Sequence, residues 1–158
     1  MTLQNDRKLD NVGWRLLKLL QDNARLSFRQ IGEAIGLTAP AVAERVRRLE
    51  ESGIVVGYHA VIDPAKVGLP ILAFVHLNTT SQQGIHLRKV APDMPSILEC
   101  HCVTGNESYI LKVAVSSVAS LEGLLIELSK FGEVRTSLVL SSQITRRTID
   151  ETLINHER

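Results

Sequence analysis

The chain has 158 residues, of which 44% are hydrophobic, 22% charged and 4% aromatic, with a formal net charge of +1. That composition excludes a disordered chain and fits one ordinary domain or two small ones with cores of Leu, Ile, Val and Ala. Near-neutrality argues against a nucleic-acid binder, which usually carries a basic excess, so such a function would have to rest on charge placement.

The polar stretch Met1–Asp10 carries neither the apolar run nor the cleavage site of a secretory leader. Runs such as Leu69–Leu77 fall far short of the ~20 apolar residues that span a bilayer. A cytoplasmic protein without a membrane partner is expected.

Asp10–Asn23 places Val12, Leu16, Leu17, Leu19 and Leu20 at helical spacing, an amphipathic helix. Ser27 stands where an N-cap belongs for a shorter helix, Phe28–Ile35, and Gly36 is placed to end it in a left-handed conformation. Thr38 can cap a third helix, Ala39–Ser52, with Pro40 in its first turn, where no intrahelical N–H is needed. Val42, Val46 and Leu49 share one face of it. Ala41, Arg45 and Arg48 share the adjacent face, and Arg47 points elsewhere. Ile54–Ile62, with Gly57, reads as a short hairpin or wing, and Asp63–Gly68 as a linker.

Beyond residue 69 the periods change. Strands are expected at Leu69–Asn78, Ser96–Thr104, Ser108–Val115 and Val134–Ser141. Helices are expected at Gln82–Ala91 and Val118–Ser129, with a short terminal helix at Thr148–Ile154. The order is that of a ferredoxin-like βαββαβ unit. The fold class is therefore α+β: an N-terminal winged helix-turn-helix domain over 1–62, a linker over 63–68, and a ferredoxin-like domain with its tail over 69–158.

In a helix-turn-helix the first helix crosses the DNA backbone and the second enters the major groove N-terminus first. Thr38, Ala39, Pro40 and Ala41 are small enough to let that end approach base edges. The Thr38 hydroxyl can donate and accept, and the methyls of Ala39 and Ala41 can meet thymine methyls. Arg45, Arg47 and Arg48 suit phosphates, as do Ser27, Arg29 and Gln30 at the start of the preceding helix. Residues 1–60 hold nine Lys/Arg against seven Asp/Glu, so the excess is small. The three arginines cluster on one helix while Asp6, Asp10 and Asp22 lie elsewhere in the sequence. A basic helix face is also often just solvated, so local pattern alone leaves DNA binding open.

The run Gly36-Leu37-Thr38-Ala39-Pro40-Ala41-Val42-Ala43-Glu44-Arg45-Val46-Arg47-Arg48-Leu49-Glu50-Glu51-Ser52-Gly53-Ile54-Val55 resembles the recognition helix and wing entry of the Lrp/AsnC (leucine-responsive, feast/famine) transcriptional regulators. Gly57-Tyr58-His59-Ala60-Val61-Ile62-Asp63-Pro64 and Glu99-Cys100-His101-Cys102-Val103-Thr104-Gly105, followed by Tyr109, continue the likeness, which covers about residues 9–142. The resemblance implies double-stranded DNA as partner, homodimers assembling to octamers or similar, and an amino-acid effector held between dimers. That effector would lie against the turn Gly105, Asn106, Glu107, Ser108 and Tyr109, with Thr136 and Ser137 as neighbours.

The family usually has Gly-Asp-x-Asp-Tyr at this turn. Here both acidic positions are neutral, so an ammonium loses its expected partners unless Glu107 or another chain substitutes. A second departure is Gly13, where the family's first helix usually carries Asp; an interior Gly costs a helix about 1 kcal/mol.

Cys100 and Cys102 face one side of a strand and His101 the other, so they cannot converge on one metal ion. The cysteines are expected as small buried side chains and His101 as a satisfied histidine. No nucleophile elbow or Walker-type loop is present, so neither catalytic residues, metal nor cofactor are expected. Two other functions stand beside regulation by an effector: an effector-independent nucleoid-type DNA organiser, and an oligomeric small-molecule sensor acting through a protein partner.

Overall fold

The computed structural model describes residues 9–155. Nearly all of the Met1–Asp10 stretch lies outside that range. The chain divides into two compact units: one runs to Ala60 and takes in the segment from Ile144 onward, and the other is Val61–Gln143.

The first unit is built on α1 (Asn11–Asp22), α2 (Phe28–Ile35) and α3 (Ala39–Glu51). Each starts at a side-chain cap, as expected where Asp, Ser or Thr precedes an apolar repeat. The Asp10 carboxylate accepts from the Gly13 amide at 2.7 Å. Ser27 and Gln30 form a reciprocal capping box, and the Thr38 hydroxyl accepts from the Ala41 amide. Leu16, Leu17, Leu20, Ile31, Ile35, Val42, Val46 and Leu49 form the core. Leu16, Ile31 and Val42 are completely buried, and burial of each such side chain contributes about 1.5–3 kcal/mol.

Gly13 has a structural reason: a Cβ there would stand 3.0 Å from the Asp10 carboxylate oxygen and 3.0 Å from Leu9 Cδ2. The bare backbone makes room for the cap that starts the helix.

The wing is not formed. No strand occurs between Ile54 and Asp63. The Ile54 and Val55 amides both donate to Leu49 O, closing the end of α3, and the chain then runs on without a ladder partner. Val56, Val61 and Ile62 are exposed along it. The expected linker folds into a 3-10 turn, Pro64–Val67, capped by Asp63.

The second unit has a four-stranded antiparallel sheet in the order β2-β3-β1-β4, with β1 (Ile71–Asn78), β2 (Ile97–Cys102), β3 (Tyr109–Val115) and β4 (Glu133–Leu138). Helices α4 (Ser81–Val90) and α5 (Val118–Ser129) link the strands as a split βαβ pair. Ala73, Val75 and Leu77 from β1 and Tyr109, Leu111, Val113 and Val115 from β3 pack against Leu87, Leu121, Leu124 and Leu128 of the helices. The alternate residues face the other way. That opposite face carries Phe74 and His76 on β1, Ile110 and Lys112 on β3, Glu99 and His101 on β2, and Arg135 and Ser137 on β4.

The strands end earlier than the sequence pattern implies, at Cys102 rather than Thr104 and at Leu138 rather than Ser141. Cys100 and Cys102 are exposed rather than buried, because β2 is an edge strand and even its helix-side positions lie beyond the helices' cover.

The tail differs from the expected partition at 69–158. A short helix, α6 (Glu151–Asn155), belongs to the compact unit of α1–α3. The Gln21 side-chain amide donates to Ile149 O and accepts from Ile149 N, each at 2.9 Å.

Candidate nucleic-acid interface and effector site

The turn between α2 and α3 is held by two glycines. Gly36 adopts φ 76° in the left-handed region, and the Gly36 and Leu37 amides both donate to Gly32 O at 2.8 and 2.9 Å. A Cβ on Gly32 would come within 2.3 Å of Leu37 O. Gly32 is therefore what lets α3 fold back so closely. Its position inside an apolar helical repeat gave no sign of this role, since only the packed turn reveals the close approach.

This turn presents the N-terminus of α3. Thr38 and Pro40 are exposed and Ala39 and Ala41 half-buried, so the four small residues form a blunt tip open to solvent. At the start of α2 the side chains are more committed. The Ser27 hydroxyl donates to Gln30 Oε1 while accepting from the Gln30 amide, and Arg29 pairs with Glu33 at 3.0 Å. Among the described residues, the Phe28 and Arg29 amides have no intrahelical acceptor and are the donors left for an anion.

The arginines are not the bare cluster expected. Arg45 forms a bidentate pair with Asp10, both bonds 3.0 Å, and so ties α3 to the cap of α1. Asp10, distant in sequence, is adjacent in space. Hydrogen bonds from the Arg45 guanidinium and the Gly13 amide hold its carboxyl below the usual range.

Arg47 bonds Glu44 at 2.8 and 3.0 Å and also meets Glu51, and Arg48 bonds Glu44 at 2.9 Å. The hydrogen bonds from Arg47 and Arg48 bring the Glu44 carboxyl down to about 2. Thus every arginine of α3 has a carboxylate on it. These pairs are exposed, and solvent screening leaves such pairs little net stabilisation. A phosphate can therefore replace the carboxylate at little cost. Nearby, Tyr58 donates to Glu50 at 2.9 Å, and burial together with that bond pushes its hydroxyl up to about 12.

In the second unit the Gly105–Tyr109 turn joins β2 to β3. Tyr109 is buried, and its hydroxyl donates to Gly84 O on α4 at 3.3 Å. A Cβ on Gly84 would crowd the Tyr109 ring at 3.1 Å, so the two residues fit as a pair. The Ser108 hydroxyl accepts from the Thr79 amide at 3.1 Å and lies 3.3 Å from Asn78 Oδ1. Tyr109 and Ser108 thus anchor the turn. Gly105 and Asn106 are exposed.

Glu107, the remaining carboxylate, is bound by Arg135 at 3.0 Å. Arg135 comes from β4, and its salt bridge fills the acceptor that a ligand ammonium would need. Thr136 and Ser137 point to opposite faces of β4. Thr136 lines an open groove of about 390 Å³ with Val118, Leu121, Leu125 and Ile126 of α5, on the helix side of the sheet. Ser137 shares the other face with Arg135. A second open groove, of about 460 Å³, adjoins the Ser108 anchor and is lined by Asn78, Thr79, Gln83, Lys130 and Gly132 among others. No residue there was singled out by sequence, because its polar side chains come from a strand end and two helix ends.

An AsnC-type helix-turn-helix domain model matches residues 9–50, and an Lrp/AsnC ligand binding domain model matches residues 72–149. The chain belongs to the Lrp/AsnC family of transcriptional regulators. The Bacillus subtilis HTH-type transcriptional regulator LrpB is 33% identical over 150 residues, covering 95% of this chain and 99% of LrpB. Among solved structures of the Lrp/AsnC proteins, B. subtilis LrpC superposes with TM-score 0.84 at 29% identity, over 89% of this chain and all of that one. The feast or famine regulatory protein of M. tuberculosis, complexed with L-methionine, gives TM-score 0.84 at 31% identity, over 90% and 99% of the two chains. The Lrp/AsnC fold accounts for both units.

Proposed function

We propose that this Lrp/AsnC regulator reads operator DNA with the tip of α3 and changes its grip when an amino-acid-like effector binds its second unit. The observation that carries the first half is the exposed tip Thr38–Ala41, set out by the Gly32–Leu37 closure. Thr38, Ala39 and Ala41 meet base edges, with Pro40 beside them. Ser27 and Gln30 set the cap of α2, whose free amides, with Arg29, approach a phosphate. Arg47 and Arg48 exchange their carboxylates for phosphates, while Arg45 acts chiefly through Asp10 as a positioning residue.

For the second half, the L-methionine complex of the M. tuberculosis relative supports an amino-acid ligand, and the family resemblance is the ground for assigning it to Gly105, Asn106, Glu107, Ser108 and Tyr109. Copies of the chain associate through the second unit, first as homodimers and then as octamers or similar, so effector binding alters which DNA sites are spanned together. The protein acts in the cytoplasm, on the nucleoid. Among the described residues no helix is long and apolar enough to cross a membrane.

Footprinting on the DNA upstream of the protein's own gene, at stated salt, is the test of DNA reading. A protected site is expected, and none at any salt would sink the proposal. Calorimetry against the twenty amino acids tests sensing. Heat from at least one is expected, and silence from all with DNA binding intact would favour a nucleoid-type organiser.

A further inference from the structure

The segment after Ile144 has no role in the reading above, yet it is fastened to the unit that holds α3. Gln21, in the last turn of α1, gives both atoms of its amide to the backbone of Ile149. That pairing satisfies one N–H and one C=O as a neighbouring strand would, and fixes the register of an otherwise irregular segment. One step further along the tail, the Asp150 carboxylate accepts from the Thr152 amide at 2.9 Å and from its hydroxyl, at the start of α6.

The Gln21 attachment sets the tail at the C-terminal end of α1. Gln21 lies in the last turn of α1, directly before the Asn23–Leu26 turn, which carries exposed Arg25 and leads into Ser27 and the open amides of α2. Arg147 is two residues from Ile149, at most about 7 Å of backbone, so Arg147, and Arg146 one residue further, stay near that end of the helix.

The ion pairs of this unit leave some arginines uncompensated. Arg29, Arg45, Arg47 and Arg48 each hold a carboxylate. Arg15, Arg25, Arg146 and Arg147 are exposed and have no ion-pair partner among the described residues, and Arg15 is bonded to Ala34 O instead. The uncompensated arginines of this unit therefore include the turn before α2 and the tail docked beside it.

We propose that residues 144–150 form a basic arm, pinned by Gln21, whose Arg146 and Arg147 bind backbone phosphates flanking the site read by α3. The arm rests on the DNA-binding reading. It adds affinity without sequence preference, because phosphates carry no base identity.

The test uses the full chain and two duplexes: the protein's own upstream region and a random-sequence duplex of equal length. Binding is measured from about 50 to 200 mM salt, where each phosphate contact contributes about 0.9 to the slope of log affinity on log salt. The double variant R146A/R147A is expected to lose about 1.8 from that slope per engaged subunit, on both duplexes alike. Over a fourfold salt increase it then loses about twelvefold less affinity than the parent. R146K/R147K should retain the parent slope. Gln21→Ala should weaken binding at every salt, since the arm must then be ordered by the DNA. The control R88A/K89A removes two charges from α4 and should leave the slope unchanged.

An R146A/R147A variant with the parent slope, while the parent binds, overturns the arm and leaves the DNA reading intact. An equal slope loss in the α4 control also overturns it, in favour of net charge. A parent that binds neither duplex at any salt overturns both.

Discussion

Replacing Asp10 by Asn tests whether Arg45 serves the fold. Asn is as good an N-cap as Asp, so the bond from the Gly13 amide at 2.7 Å survives. What is lost is the bidentate pair with Arg45, whose side chains are 38% and 54% exposed. Measured exposed pairs contribute about 0.2–1 kcal/mol, and the two-bond geometry places this one in the upper half, about 0.5–1 kcal/mol. For a domain of this size that corresponds to roughly 2–8 °C in melting temperature. Asp10→Ala removes the cap as well and should cost about 1 kcal/mol more.

The pair lowers the folded-state pKa of Asp10. Its contribution is therefore fully present above the unfolded value, about 3.9, and is lost as pH falls through the folded one. Thermal melts followed by circular dichroism should show this acid-side loss in the parent and a smaller one in Asp10→Asn. A cycle completed with Arg45→Ala and the double variant should give a coupling of about 0.5–1 kcal/mol, shrinking at high salt. A coupling of zero, with parent-like melting of Asp10→Asn, would refute the positioning role of Arg45.

Other expectations follow from the same geometry. Glu44→Gln frees Arg48 and leaves Arg47 with Glu51 alone, so it removes a competitor for the phosphates and should raise DNA affinity in an anisotropy titration at fixed salt. An unchanged affinity would mean that neither arginine meets a phosphate. Gly32→Ala should cost about 1–3 kcal/mol despite the better helix propensity of Ala, because the new Cβ meets a carbonyl 2.3 Å away. A variant melting with the parent would show that the turn can relax. Arg135→Ala frees Glu107 and should tighten whichever amino acid registers by calorimetry, since an ammonium then finds an open carboxylate; weaker binding would instead make Arg135 a ligand for the carboxylate end. Leu128→Ala, at a fully buried site, should cost about 2–5 kcal/mol in a chemical denaturation curve.

What could be read from the sequence was set locally. The cap residues Ser27 and Thr38 and the left-handed Gly36 mark their helices, because capping acts within a few residues. The short apolar, β-branched runs of β1 and β3 likewise mark strands. Features fixed by distant packing escaped. Asp10 and Arg45 are 35 residues apart, and only the docking of α1 on α3 makes them partners. Glu107 and Arg135 meet because the register of β4 beside β1 carries Arg135 to the right level. Gln21 and Ile149 are separated by 128 residues, and no local pattern marks either. The wing failed because alternation predicts an extended chain but cannot supply the neighbour it must bond. The same limit misplaced Cys100 and Cys102, whose exposure depends on β2 lying at the edge.

The carboxylates on α3 also bear on time. On the proposed reading, Glu44 and Glu51 would compete with phosphates for the same guanidinium groups on random sequence, where few base contacts form, and hasten escape. Only where the tip at Thr38–Ala41 met its bases would the exchange become worth holding. Glu44 would then act as a brake on idle residence, with the regulator sampling many sites quickly and dwelling on few.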